Sequence, residues 1–200
     1  MSKRTLIAIG VSVLVAAAAS LHAATQSRQA ADALSQKIAA ISQRAATPRG
    51  GQPASVTLTE DELNSWFVYR SARYLPAGVS KPSVTLMGAG TLKGVATLDL
   101  GAVAKRRSGG GALDPLSYLG GKVPVTVTGT LQTRGGTGRF DVQSTEIAGI
   151  PVPSFLLQEL LSIYGASPEQ PEGVRLDESF ALPANIQRID VGLGQMVVVQ

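Results

Sequence analysis

The sequence predicts an α+β fold that is mostly antiparallel β, a meander accompanied by one or two helices and preceded by an N-terminal signal or anchor helix. Three observations point to it. Charged residues make up only 16% of the chain while Gly, Thr and Val crowd its middle, a balance that favours strands over long helices. Between Val79 and Ile147, apolar and polar side chains alternate in four runs, as in a sheet that is wet on one face only. The chain also opens with a basic pair, an apolar run and a cluster of small residues.

At 200 residues and 44% apolar content, the chain suits one modest domain plus an extension. It divides into a signal peptide or membrane anchor at 1–24, a helical stalk and linker at 25–53, and a β-rich domain at 54–200. In the first region Lys3 and Arg4 precede an apolar run from Leu6 to Ala19, which is shorter than the ~20 residues of a comfortable membrane span. Cleavage near Ala23 or Ala24 is the first reading, with Leu21 and His22 standing where small residues are preferred. The second is an uncleaved anchor whose positive end stays in the cytoplasm. Either way the domain is expected outside, in the periplasm or held on the inner membrane facing it.

From Gln26 to Ala46 the chain is rich in Ala, Gln and Ser, with Leu34, Ile38 and Ile41 at helical spacing, so a helix with one thin apolar stripe is expected there, serving as a stalk. Thr47 to Pro53 holds the Pro and Gly breakers of a linker. Ser55 to Thr59 reads as a short strand. Thr59-Glu60-Asp61-Glu62 then forms a capping box opening a helix to about Tyr74, with Leu63, Trp66, Phe67 and Tyr74 roughly on one side. The alternating runs are Ser83–Gly88, Thr91–Leu100, Val123–Leu131 and Gly138–Ile147, separated by Gly-rich hairpin connections at 87–90 and 134–138. A basic, Gly-rich loop at 105–111 interrupts them. Pro151 and Pro153 introduce a helix from Phe155 to Tyr164 that is apolar on most sides, and Ile186 to Val199 closes the chain as a strand bent at Gly192 and Gly194.

What is missing limits the chemistry. The chain has no Cys, which excludes disulfides, thiolate metal sites and a thiol nucleophile, and its single His, His22, lies in the export segment. No Ser-His-Asp triad, histidine-ligated zinc or imidazole base is available beyond that segment, so neither metal nor cofactor is expected and the reading is non-enzymatic. The acids Asp141 and Glu146, or Asp177 and Glu178, are the remaining candidates for an acid–base pair acting on envelope glycans. No aromatic sugar platform accompanies them, and they read as surface charges. Gly120-Gly121-Lys122 has Val123 where a phosphate loop needs Ser or Thr, and Gly88-Ala89-Gly90 lacks the third glycine of a dinucleotide fingerprint. The net charge is +4, two of those charges belonging to Lys3 and Arg4, so no nucleic-acid footprint is expected. Lys105, Arg106 and Arg107 are candidates for contact with anionic headgroups at a membrane surface, with a solvated loop as the preferred reading.

The feature that suggests a function is an imbalance between sheet and cover. A meander of long strands offers a wide apolar face, and only two substantial helices are available to lie on it. Incomplete cover leaves a groove for an acyl chain, whose transfer is worth about 0.8 kcal/mol per buried methylene; complete cover leaves a dry core. Trp66 and Phe67 fit either arrangement.

The segment from Ser55 to Asn64 (SVTLTEDELN) resembles the "strand, then Thr-Glu-x-Glu-Leu-Asn helix" opening of small bacterial exported or membrane-anchored proteins of the tubular lipid-binding (TULIP-like) and AsmA-like group. The likeness continues through the meander, through Gly149-Ile150-Pro151-Val152-Pro153 into an apolar helix, and through Leu182-Pro183-Ala184-Asn185-Ile186 before the last strand. It implies a curved meander wrapped around a helix with a lipid-sized channel between them, used to bind or transfer lipid in the cell envelope. It brings no catalytic residues. The expected lipid contacts, taken from the apolar pattern, are Trp66, Phe67, Leu86, Leu98, Val125, Val127, Phe155, Leu156 and Leu160. The alternative is an envelope scaffold with a closed core and a protein partner.

Overall fold

The computed structural model describes residues 26–46, 53–99, 121–164, 175 and 178–200. The segment expected to direct export and the basic residues at 105–107 lie outside the described residues. Among the described residues no helix is long and apolar enough to cross a membrane.

Helix α1 (Arg28–Ala45) starts where the Ser27 hydroxyl accepts the Ala30 N–H at 3.1 Å. Strand β1 (Ser55–Thr59) runs directly into helix α2 (Glu60–Tyr69) through a complete capping box: Thr59 Oγ1 accepts the Glu62 N–H at 3.2 Å and Glu62 Oε2 accepts the Thr59 N–H at 2.9 Å. The helix expected to reach Tyr74 ends at Tyr69, and Ser71–Arg73 form a single 3-10 turn. Buried Ser71 is the reason. Its hydroxyl donates to the Phe67 carbonyl, the acceptor a continuing helix would have offered to the Ser71 N–H, and the altered path stacks Tyr74 on Trp66 at 5.5 Å.

The fold is α+β and mostly antiparallel β. Strands β2 (Val79–Gly88), β3 (Thr91–Asp99), β4 (Lys122–Arg134), β5 (Thr137–Ile147) and β6 (Ile150–Pro151) form a meander in that order, with β7 (Phe180–Ala181) against the start of β5. The hairpins at 89–90, 135–136 and 148–149 have positive φ at both central residues, the backbone signature of type I′ turns that match strand twist. Helix α3 (Ser154–Tyr164) follows β6. The closing segment expected as one bent strand is a hairpin of β8 (Arg188–Val191) and β9 (Gln195–Val199), because the chain reverses at 192–194, where Gly194 has φ +68° and the Gly192 N–H donates to the Gln195 carbonyl at 2.9 Å. These two strands and β1 make a second sheet, ordered β1-β9-β8.

Backbone and side-chain hydrogen bonds join the sheets: the N–H groups of Gly90, Gly136 and Gly194 donate to the carbonyls of Val191, Gln187 and Leu86 at 3.0, 3.0 and 2.9 Å. Thr133 on β4 exchanges two 2.8 Å hydrogen bonds with the Ile189 backbone on β8, and Met87 bridges Leu193. The main core lies against the three-stranded sheet, where Leu34, Ile41, Leu58, Leu182, Ile186 and Val198 are buried together. Two of these come from α1, so the helix expected as a stalk is packed into the domain. Its stripe is thin, yet Ala31, Leu34 and Ile41 fall within it and are buried, and Lys37 reaches Glu62. The meander has a separate and much smaller cluster, Leu98 and Val125 with Val79, Val123, Val127 and Ile147 around them.

Candidate functional site: an apolar groove on the meander

That smaller cluster is the floor of a groove. Because strand side chains alternate, one face of β3 and β4 presents Leu98, Ala96 and Gly94 opposite Val123, Val125 and Val127. Helix α3 stands over this face and contributes Leu157 and Leu161, while Phe67 of α2 closes one side. The space left among them is about 440 Å³, within the range of ~300–1,000 Å³ usual for small-ligand sites. Among the described residues its lining includes no charged side chain, and Ser83 supplies the one hydroxyl. Gly94 deepens it: among the described residues, no heavy atom beyond its own chain neighbours lies within 4 Å of where a Cβ would stand.

The N-terminal half of α2 holds this arrangement in place. Asn64 and Glu60 bind the outer edge of β2, accepting the N–H groups of Val84 and Leu86 at 2.8 and 2.7 Å. Glu62 accepts both 2.6 and 2.7 Å hydrogen bonds from Lys37, whose ammonium also donates to the Thr57 carbonyl. Burial alone would raise the Glu62 carboxyl, but the Lys37 ammonium and the Thr59 backbone and hydroxyl groups outweigh it and hold it below its ordinary range.

Of the residues expected to contact lipid, Phe67, Leu98, Val125 and Val127 line the groove. Trp66, next to Phe67, packs instead against the main core. Leu86 is 1% exposed but does not line the groove; Phe155 is 65% exposed and Leu156 half-buried, neither lining it. The side chain of Leu160 lies outside the described set, as do Lys105, Arg106 and Arg107. On α3 the groove is met by Leu157 and Leu161, which share the i, i+4 spacing of Leu156 and Leu160 but sit about 100° further round the helix. Asp141 is engaged by Arg139 and Gln132 at 2.7 and 2.8 Å, and neither it nor Glu146 lines the groove.

No family model, curated protein or solved structure matches this chain.

Proposed function

We propose that this protein binds a lipid or similar hydrophobic ligand in the cell envelope, without catalysis, by taking an acyl chain into the groove between α3 and the meander. The observation that carries this reading is the groove itself: about 440 Å³ of space lined by Phe67, Leu98, Val125, Val127, Leu157 and Leu161, on a sheet face whose own cluster of buried residues is small. Apolar walls without charge favour a hydrocarbon over water by about 25 cal/mol for each Å² removed from solvent. In this reading the sheet curves about the helix, as the resemblance to tubular lipid-binding proteins implies, and the Leu6–Ala19 segment directs the domain across the inner membrane.

The test is native mass spectrometry of the full-length protein purified without detergent, followed by solvent extraction and lipid analysis. Co-purified lipid, or uptake of added phospholipid or fatty acid at one equivalent, is the expected result. A ligand-free protein that ignores both overturns the proposal.

A further inference from the structure

The apolar groove adjoins a second pocket, of about 550 Å³, and the two share Phe67, Val79, Pro82 and Ser83 as a common wall. The second pocket is different in kind. Lys81, Ser80, Ser71 and Gln26 line it, and among the described residues no carboxylate lines either space. Lys81 occupies the irregularity in β2 between Ser80 and Ser83, where pairing with β3 slips. Its φ is +50°, a backbone conformation that a long side chain preceding proline rarely adopts. A bulge re-aims a side chain, and strained backbone of this kind persists where the surroundings hold it, often at ligand sites.

Taking the groove as the acyl site proposed above, we propose that the ligand is an anionic amphiphile with one chain in the apolar groove and its carboxylate or phosphate head at Lys81. Three features assign the charge and the shape. Among the described residues Lys81 is the one cation lining these spaces and no acid lines them, and such a cation recognises an anion and rejects a cation. The shared wall of Phe67 and Pro82 places this cation at the edge of the apolar space, where a head joined to the buried chain must emerge. The apolar volume sits in the lower part of the small-ligand range, which suits one chain.

Calorimetric titration of the full-length protein with dodecanoate, dodecanol and dodecylamine in low-salt, mildly alkaline buffer tests this. Dodecanoate is expected to bind at least about tenfold more tightly than dodecanol, with dodecylamine weakest, and added salt to narrow the gap. Lys81→Gln should close the gap between dodecanoate and dodecanol, and continued binding of dodecanol reports that the variant is folded. Lys81→Glu should reverse the order of the two charged probes. Equal binding of all three by the unaltered protein, or an anionic preference that survives Lys81→Gln, overturns the assignment of the head site and leaves the groove standing. Failure of every probe to bind overturns both proposals.

Discussion

The carboxamide of Asn64 is hydrogen-bonded in both directions to the backbone of Val84: Nδ2 donates to the carbonyl and Oδ1 accepts from the N–H, each at 2.8 Å. A helix side chain thereby takes the place of a neighbouring strand on the outer edge of β2. Glu60, one turn earlier, accepts the Leu86 N–H in the same way. Edge strands carry unpaired backbone groups that recruit other chains, and α2 occupies two such places here. Asn64→Ala should cost about 2–3 kcal/mol, because it leaves a buried donor and a buried acceptor unpaired together. Chemical denaturation checks this, with an unchanged denaturant dependence showing that the native fold persists.

Helix α1 should prove integral to the domain. Leu34 is 2% exposed and belongs to the main core, so Leu34→Ala is expected to destabilise by about 2–5 kcal/mol, whereas a stalk residue would be nearly neutral. Thermal unfolding distinguishes the two.

The Lys37–Glu62 pair predicts a pH dependence with a definite sign. The folded-state pKa of Glu62 is lowered, so its contribution is complete above the unfolded carboxylate value of about 4.3 and is lost as pH falls through the folded value. Glu62→Gln should cost about 1–2 kcal/mol at neutral pH, between the values for exposed pairs and for buried charge-assisted bonds. It should also flatten the acid limb of a stability-against-pH curve; an acid limb identical to the parent's would show that the pair contributes nothing.

Gly94 gives a way to fill the groove without disturbing what surrounds it. A Cβ there meets open space and the backbone φ is ordinary, so Gly94→Leu should leave stability within about 0.5 kcal/mol. Affinity for an acyl chain should fall at least tenfold, read by titration with dodecanoate.

Gly129 is the contrasting case on the next strand. A Cβ at this position would stand 2.6 Å from both the Asp141 carbonyl oxygen and the Phe140 ring, the ring lying across the glycine. Gly129→Ala should therefore cost about 1–3 kcal/mol, and Gly94→Ala, measured beside it, close to nothing.

The strands were legible because alternation is a local property. Thr126, Thr128 and Thr130 against Val125 and Val127 define two faces whatever lies beyond them. The capping box at Thr59 and Glu62, and the glycines of the 135–136 hairpin, are likewise set by neighbours within a few residues. Helix α1 was read as a helix for the same reason, but its place in the core depends on Leu182, Ile186 and Val198, more than 140 residues away. Within the site, Phe67, Leu98, Val125 and Val127 were identifiable as apolar, inward-facing positions; Leu157 and Leu161 were missed because α3 is apolar on most sides and its periodicity names no preferred face.

By itself, then, the sequence determined the α+β class, the antiparallel meander, the start of α2 and the lack of Cys and of any His beyond residue 22. Each follows from side-chain types or from interactions spanning a few bonds. Tertiary structure alone decided that adjacent Trp66 and Phe67 part company, one to the core and one to the groove, and that a strained Lys81 borders the apolar space. A groove is the volume that packing leaves unfilled, and that volume depends on how elements distant in sequence meet, which no local pattern records.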